Sequence, residues 1–444
     1  MGVFHAYDIR GLWPGEITID FAYRLGWHFG RWSGAKTVLV ARDARLHSAE
    51  LSRRLTEGLA AAGCGVIDLG LASTPQMHFY QMRERCEAGI MVTASHNPKE
   101  YHGFKFFDRA GGSISYDKGL DQIETMIDQL APRRAGATVV PESPQLEEYI
   151  EFVAQQAGGG RLSRRIVIDA ANGSAGPVVA ALAKRLGLDA VIINAEPDGN
   201  FPNHDPNPLK EESRRQAAEK VLQTGAALGA VLDGDGDRII FVDETGTAVE
   251  NYFMSALIAG ALLKKRPGAA VVYDLISSRV LPERIRELGG EAVVSRVGYT
   301  FLHDRMVELG AVFGAETSGH VYFKVSDEYY TESALYAMVV VLSLLETADR
   351  PLSRLLAPLR ERYFQAPEVN VRAADKAEAL RRVKEHFRNG RLSELDGVSV
   401  DFDDFWFNVR PSNTEPLIRV RLEALTRQIA VQKISEIENL LRGA

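Results

Sequence analysis

Three stretches of this chain share one form: a run of β-branched and apolar residues that ends at an aspartate just before a helix-like segment. They are Val38-Leu39-Val40-Ala41-Arg42-Asp43, Ile166-Val167-Ile168-Asp169 and Val271-Val272-Tyr273-Asp274. They recur roughly every 105 to 125 residues, as three copies of one α/β unit would. Strand and helix patterns alternate around them. A helix is predicted over Ile19–Arg31 with Thr18 as its cap, a strand over Lys36–Ala41, a helix over Ser48–Ala62, a strand over Val66–Leu69 and a helix opening at Thr74-Pro75. Such alternation argues for a mostly parallel sheet covered on both faces.

Breaks divide the chain. Ala131-Pro132-Arg133-Arg134-Ala135-Gly136 interrupts the pattern, and alternation resumes at Ile166 after the helix Leu146–Gln155. A second break, Asp243-Glu244-Thr245-Gly246, precedes a helix near Tyr252. The last segment differs. Asp375 with Glu378 opens a helix expected to end at Gly390. Strands follow at Val398–Phe402, Phe405–Val409 and Leu417–Leu422, then a helix near Gln428–Arg442, a pattern for an α+β domain. The expected fold is therefore three similar α/β domains with mixed, mostly parallel sheets over residues 1–140, 141–246 and 247–362, plus a smaller α+β domain over 363–444.

Composition narrows the function classes. With 52 basic and 59 acidic residues the net charge is −7, which argues against nucleic acid as a partner. Cys64 and Cys86 have no metal-binding spacing, so a reduced compartment is expected and a zinc site is not. No signal peptide is read at the N-terminus, and the apolar runs Phe253–Leu263 and Leu335–Leu345 are too short to cross a bilayer. A cytoplasmic protein with no membrane partner is expected.

Four loops carry chemistry. In Met91-Val92-Thr93-Ala94-Ser95-His96-Asn97-Pro98 a buried strand gives way to small polar residues, and Pro98 prevents a return to the ladder. Ser95 is thus placed beyond the carboxyl end of a strand, where open α/β sheets bind ligands; read alone, the loop is as readily a polar turn. Asp233-Gly234-Asp235-Gly236-Asp237-Arg238 lies between two apolar runs, and its alternate glycines let three carboxylates face one point. Carboxylates without His or Cys favour a hard cation such as Mg²⁺. An EF-hand, for which Glu244 falls at the twelfth loop position, is disfavoured, because Arg238 stands where that loop needs glycine and strands flank it. Glu316-Thr317-Ser318-Gly319-His320 suits a hydroxyl-rich ligand, and equally a surface turn. Arg410-Pro411-Ser412-Asn413-Thr414-Glu415-Pro416 offers a phosphate cradle or, read alone, a rigid turn.

Taken in order, Thr93–Pro98, Asp233–Arg238, Ala315–His320 and Arg410–Pro416 resemble the motifs of the α-D-phosphohexomutase family, and its phosphomannomutase/phosphoglucomutase branch in particular. Tyr7-Asp8-Ile9-Arg10-Gly11, Gly103-Phe104-Lys105 and Asp198-Gly199-Asn200-Phe201-Pro202 add to the likeness, which covers essentially the whole chain. The resemblance implies four domains around a central cleft. It implies a hexose 1-phosphate/6-phosphate mutase acting through phospho-Ser95 and a hexose 1,6-bisphosphate, which also serves as activator. One Mg²⁺ would be held by Asp233, Asp235, Asp237 and Ser95. Lys105, Arg238, His96 and Arg10 would surround the reacting phosphate. Glu316 and Ser318 would contact sugar hydroxyls, with Tyr7 and Tyr299 beside them. Arg410, Ser412, Asn413, Thr414 and His320 would hold the phosphate that is not reacting.

Two positions depart from the branch. Ile276 stands where a Lys is usual, and Tyr299 where a His is usual. Phosphoglucosamine mutase is the alternative enzyme, and a non-catalytic sugar-phosphate sensor the alternative of another class. The partners expected are sugar phosphates, with the protein a monomer or a homodimer.

Overall fold

A computed structural model of the chain describes residues 2–132, 139–141, 146–348, 350–373, 375–411 and 417–443. The first unit shows why its helices form where they do. The helix Ile19–Ser33 begins at Thr18, whose hydroxyl accepts from the Phe21 N–H, and ends at Gly34 in the left-handed region. It packs very closely on the helix Ser48–Ala62. A Cβ on Gly26 would lie 2.1 Å from the Leu55 carbonyl oxygen, and one on Gly58 would lie 2.1 Å from that of Tyr23. Here glycine is needed for backbone approach.

Among the described residues the strands form four sheets. The first runs Ile9–Leu12, Tyr101–Asp108, Ala88–Val92, Thr37–Arg42, Gly65–Leu71, Val139–Pro141. The second runs Ala248–Val249, Ile239–Asp243, Leu228–Leu232, Ile166–Asp169, Ala190–Ile193, and the third Glu291–Ser295, Ala270–Asp274, Phe313–Ala315, Val321–Lys324, Tyr330–Glu332. All three are mixed, and they repeat one arrangement. The strand that runs into Asp43, Asp169 or Asp274 pairs in parallel with a central strand. That central strand then turns back through a loop into an antiparallel neighbour. The three turning loops are those of Ser95, of Asp233–Asp237 and of Glu316–His320. Their placement at carboxyl ends of parallel strands follows from the shared topology.

The fourth sheet is antiparallel throughout, centred on Leu417–Ala424 and Phe405–Pro411. Short strands at Phe364–Gln365, Val369–Arg372 and Arg391–Ser393 were not legible in the sequence pattern. The helix opened by Asp375 ends at His386, before the expected Gly390. Phe387 leaves the helix to bury its ring against Phe402, Phe405 and Phe407, and this packing sets the end.

One apolar core runs through the first three units, joining Leu39 and Met91 to Ile166, Leu232 and Phe313. The fourth unit has its own core around Val400, Phe407 and Val420. The apolar runs near 253 and 335 are the buried helices Asn251–Lys265 and Ala334–Thr347. No helix among the described residues is long and apolar enough to cross a membrane.

Gly58→Ala is expected to lower unfolding free energy by about 1–3 kcal/mol, since the backbone it would strike must move. Gly15→Ala, with nothing within 4 Å of the added methyl, should stay within about 0.5 kcal/mol of the parent in the same urea titration.

Candidate active site

Ser95 follows the strand Ala88–Val92 with φ of 50°, a left-handed conformation that is uncommon for a residue with a Cβ. Local hydrogen bonds impose it. The Ser95 N–H donates to Thr93 Oγ1 at 2.8 Å, and the Thr93 hydroxyl donates to Asp43 Oδ2 at 2.8 Å. So turned, the buried Ser95 hydroxyl donates to Asp233 Oδ2 at 2.9 Å and lies 3.3 Å from His96 Nδ1. Burial, with the nearby Arg238 and Arg10 charges, holds the His96 imidazole well below its ordinary pKa, so it is neutral at pH 7.

The aspartate loop approaches Ser95 by its backbone. A Cβ on Gly234 would lie 2.7 Å from the Ser95 carbonyl oxygen, and Gly236 takes φ of +73°. Asp233, Asp235 and Asp237 are fully buried and bring ligand atoms within 4.8 Å of one another. Lys105 lies on Tyr101–Asp108, opposite Met91. Its ammonium donates to Asp235 Oδ2 at 2.8 Å and to Asp237 Oδ2 at 2.5 Å. Burial alone would lower the Lys105 pKa, but the two carboxylates outweigh it and hold the group well above its usual value. Burial pushes Asp233 upward, and the Asp237 and Asp235 charges add to this. Asp237 goes the other way: burial would raise it, but Lys105, His320 and Arg238 together lower it.

One oxygen each of Asp235 and Asp237 is buried without a hydrogen-bond partner. A buried acceptor left unpaired is costly, and two of them in a cluster whose carboxylates lie within 4.8 Å of one another mark a place for a cation. The donor set is all oxygen, so the residues present fit a hard divalent ion. This acidic cluster can bind a metal.

The third loop closes the site from the other side. Arg238 and His320 pair as a backbone bridge. His320 Nδ1 contacts the Glu332 carboxylate and lies 3.7 Å from Asp237 Oδ1. Burial and the Arg238 charge depress the His320 pKa to about 4. Glu316 accepts from the Gly298 N–H at 2.8 Å and from Ser318 Oγ at 3.1 Å. Tyr299 stacks on His320 with centroids 5.7 Å apart, and its hydroxyl donates to the Tyr7 carbonyl at 3.1 Å. Tyr7 reaches from the first unit to the Val297 carbonyl at 3.2 Å. Its phenol is pushed up to about 12 by burial and by the Glu316 charge. Arg10 is held by Asp8 and donates to Asn97 Oδ1 at 2.7 Å.

Arg410 extends from the strand Phe405–Pro411 toward Asp396, 3.5 Å away, whose carboxylate also accepts from the Val297 N–H at 3.3 Å. Ser412, Asn413 and Thr414 lie outside the described residues. Ser95, His96, Lys105, the three aspartates, Arg238 and His320 thus meet in one cluster, Tyr299 stacks on its edge, and Glu316, Ser318 and Tyr7 continue from there. Sequence reasoning missed Glu332, Arg45 and Thr74, whose hydroxyl donates to Asp235 Oδ2 at 2.7 Å. Thr74 opens a helix at a visible capping signal, but nothing local to any of the three points to the site.

Comparison with known proteins agrees with this geometry. Four family models match in order: phosphoglucomutase/phosphomannomutase alpha/beta/alpha domain I at residues 1–134, domain II at 147–246, domain III at 250–363 and the C-terminal domain at 368–438. The chain belongs to the phosphoglucomutase/phosphomannomutase family. It is 36% identical to a phosphomannomutase of Methanocaldococcus jannaschii over 449 residues, covering 99% of this chain and 97% of the relative. It is 36% identical to the phosphohexose mutases of Xanthomonas campestris pv. campestris, covering 99% of each chain. A crystal structure of a phosphoglucomutase/phosphomannomutase family protein from Burkholderia thailandensis superposes with a TM-score of 0.90 at 31% identity, covering 99% of this chain and 96% of that one.

As a member of the phosphoglucomutase/phosphomannomutase family, this chain should show its metal site directly. Saturating Mg²⁺ is expected to raise the melting temperature, because an ion that binds only the folded state stabilises it. Asp235→Asn removes one of the charges that bear the unpartnered oxygens and should cut Mg²⁺ affinity at least about tenfold by calorimetric titration. Equal affinity in parent and variant would contradict the assignment.

Proposed function

We propose that the protein is a phosphohexomutase that interconverts hexose 1-phosphate and hexose 6-phosphate through phosphorylated Ser95, with mannose or glucose phosphates as substrates. The observation that carries this reading is the Ser95 hydroxyl, buried and 2.9 Å from Asp233 beside carboxylate oxygens that lack partners. It has the form of a phosphate carrier set against a cation site.

The residues have the following roles in this reading. A sugar hydroxyl attacks phosphorus of phospho-Ser95; the new P–O bond forms to the sugar as the bond to Ser95 Oγ breaks. The attacking hydroxyl gives up its proton, and Ser95 Oγ regains one. The hexose 1,6-bisphosphate so formed turns over in the cleft and returns its other phosphate to Ser95; added bisphosphate activates by phosphorylating Ser95. One Mg²⁺ bound by Asp233, Asp235, Asp237 and Ser95 would supply charge neutralisation at the transferred phosphate. Arg238 and Arg10 add positive charge, and His96 lies beside Ser95 Oγ. Glu316 and Ser318 bind sugar hydroxyls, Tyr7 and Tyr299 line the sugar's path, and Arg410 with Ser412, Asn413, Thr414 and His320 grips the phosphate at rest. The four domains over 1–140, 141–246, 247–362 and 363–444 contribute one loop each. The protein works in the cytoplasm, as a monomer or a homodimer.

Lys105 carries most of the proton transfer in this reading, its ammonium, held charged by two of the three carboxylates, serving as the donor to the leaving Ser95 Oγ. Tyr299 cannot replace it: burial and the Asp8 charge hold its phenol above the ordinary value, and its hydroxyl is spent on Tyr7.

An assay with mannose, glucose and glucosamine 1-phosphates, primed with a hexose 1,6-bisphosphate, tests the reading. Ser95→Ala should abolish turnover, with one phosphate found by intact mass on the parent and none on the variant. Activity retained in that variant would sink the proposal.

Lys105→Met should lower kcat about a hundredfold or more, and Tyr299→Phe less than about tenfold. The reverse order in their rates would assign the proton elsewhere.

A further inference from the structure

Arg45 is the largest side chain among those fully buried, and it belongs to neither the metal cluster nor the sugar loops. Its guanidinium has five N–H donors in one plane, and all five have partners. Nε donates to Asp43 Oδ2 at 3.1 Å. One terminal nitrogen donates to the carbonyls of Pro98 at 2.7 Å and Tyr101 at 2.9 Å. The other donates to the carbonyls of Ser95 at 2.8 Å and Asn97 at 2.6 Å. Three of the five acceptors thus lie on the loop that follows the strand Ala88–Val92, and a fourth on Tyr101, the first residue of the next strand. Asp43 is itself fixed, accepting from the Arg45 N–H at 3.1 Å, Ser48 Oγ at 2.6 Å and Thr93 Oγ1 at 2.8 Å.

The second unit covers this clamp. The Phe201 ring lies over the guanidinium at 5.2 Å. A Cβ on Gly199 would lie 2.4 Å from Leu46 N and 2.6 Å from the Ala44 carbonyl oxygen, so the Asp198–Pro202 stretch sits directly on the turn that carries Arg45. Gly234 presses on the Ser95 carbonyl from the other side. The Ser95 loop is therefore held from behind by Arg45 and in front by the aspartate loop.

We infer that Arg45 is a positioning residue for phosphoryl transfer: it fixes the backbone of residues 95–101 so that Ser95 Oγ keeps one place in its free and its phosphorylated state. The inference rests on the reading of Ser95 as the phosphate carrier. Phosphorylation brings about two negative charges to Ser95, in a loop whose own charges, Lys99 and Glu100, offset each other. A loop held only by its own turns would shift toward Arg238 and Arg10. Asp43 pairs with the Arg45 guanidinium at 3.1 Å, so the clamp holds the loop without leaving a lone buried charge behind it. Lysine cannot substitute, since three donors at one point cannot reach acceptors spread around a planar fork.

The test compares Arg45→Lys with Ser95→Ala by amide hydrogen exchange over residues 95–101, alongside kcat and KM. Arg45→Lys should exchange faster in that segment, lower kcat about a hundredfold and leave KM within about threefold, as misplacement of a reacting group does. Ser95→Ala, which tests the carrier itself, should lose activity with the segment still protected; the two failures are thereby told apart. Unchanged protection in Arg45→Lys, or kcat within threefold of the parent, would overturn the inference. If Arg45→Lys does not fold, Phe201→Leu decides: it uncovers one face of the guanidinium and should speed exchange in the same segment several-fold with a fall in kcat. Unchanged exchange there would overturn it equally.

Discussion

Four buried carboxylates, those of Asp233, Asp235, Asp237 and Glu332, crowd one region of this molecule, and the rest of the site depends on how their repulsion is met. Unpaired charges in such a place would take up protons or disrupt the fold. Lys105 bridges two of them, Arg238 lies 3.8 Å from a third, and His320 contacts the fourth. The compensation is incomplete, because Asp235 and Asp237 each keep an oxygen without a partner. The residual demand for positive charge is what makes the site chemically useful. The groups that meet these carboxylates, the cations Lys105 and Arg238 and the imidazole of His320, each come from a different unit, so the cluster exists only when the first three sheets are assembled.

That assembly repeats one device. Asp43, Asp169 and Asp274 end equivalent strands, all are buried, and each accepts hydrogen bonds from the loops around it. Asp43 takes Thr93, just before Ser95. Asp274 takes both the N–H and the hydroxyl of Thr317, in the loop Glu316–His320. Asp169 takes Asn194 and His204 in the second unit. In the first and third units the aspartate on one strand thus shapes the loop on the next. In sequence this repeat is only three short runs ending in Asp; its meaning comes from parallel pairing, which sets the aspartate beside a loop 43 residues away in one unit and 50 in another.

The limits of sequence reading follow the same division. Features with local causes were legible: the Thr18 cap, the starts of the helices at Ile19 and Ser48, the glycines that fold the aspartate loop, and the exit from the strand just before Ser95. The hairpin form of the three site loops was not, because nothing local distinguishes a parallel strand from its antiparallel neighbour. Arg45 was silent, since one arginine after an Arg-Asp-Ala run reads as a solvated residue until its five acceptors are in view. Glu332 was equally silent, lying on a short strand whose partner is set by tertiary pairing. The end of the helix at His386 was decided by the burial of Phe387, a packing choice that outranks a glycine stop signal three residues later.

The fourth unit stands apart in how it is attached. The first three share one apolar core, which fixes the Ser95, aspartate and Glu316 loops relative to one another. The fourth keeps a separate core and meets the third through polar contacts: the Arg279 N–H on Glu423 at 3.0 Å, the Arg279 guanidinium on the Phe405 carbonyl at 3.1 Å, and Asp396 on the Val297 N–H at 3.3 Å. Apolar cores resist sliding because a shift opens voids, whereas polar contacts at an edge can exchange for water at small cost. In the proposed cycle the reaction centre serves two orientations of one bisphosphate, so its geometry has to be invariant. The group that grips the idle phosphate faces an unequal pair of distances, since the 1- and 6-positions of a hexose are not equivalent about the ring. A rigid three-unit core with a polar-attached fourth unit meets both demands within one chain.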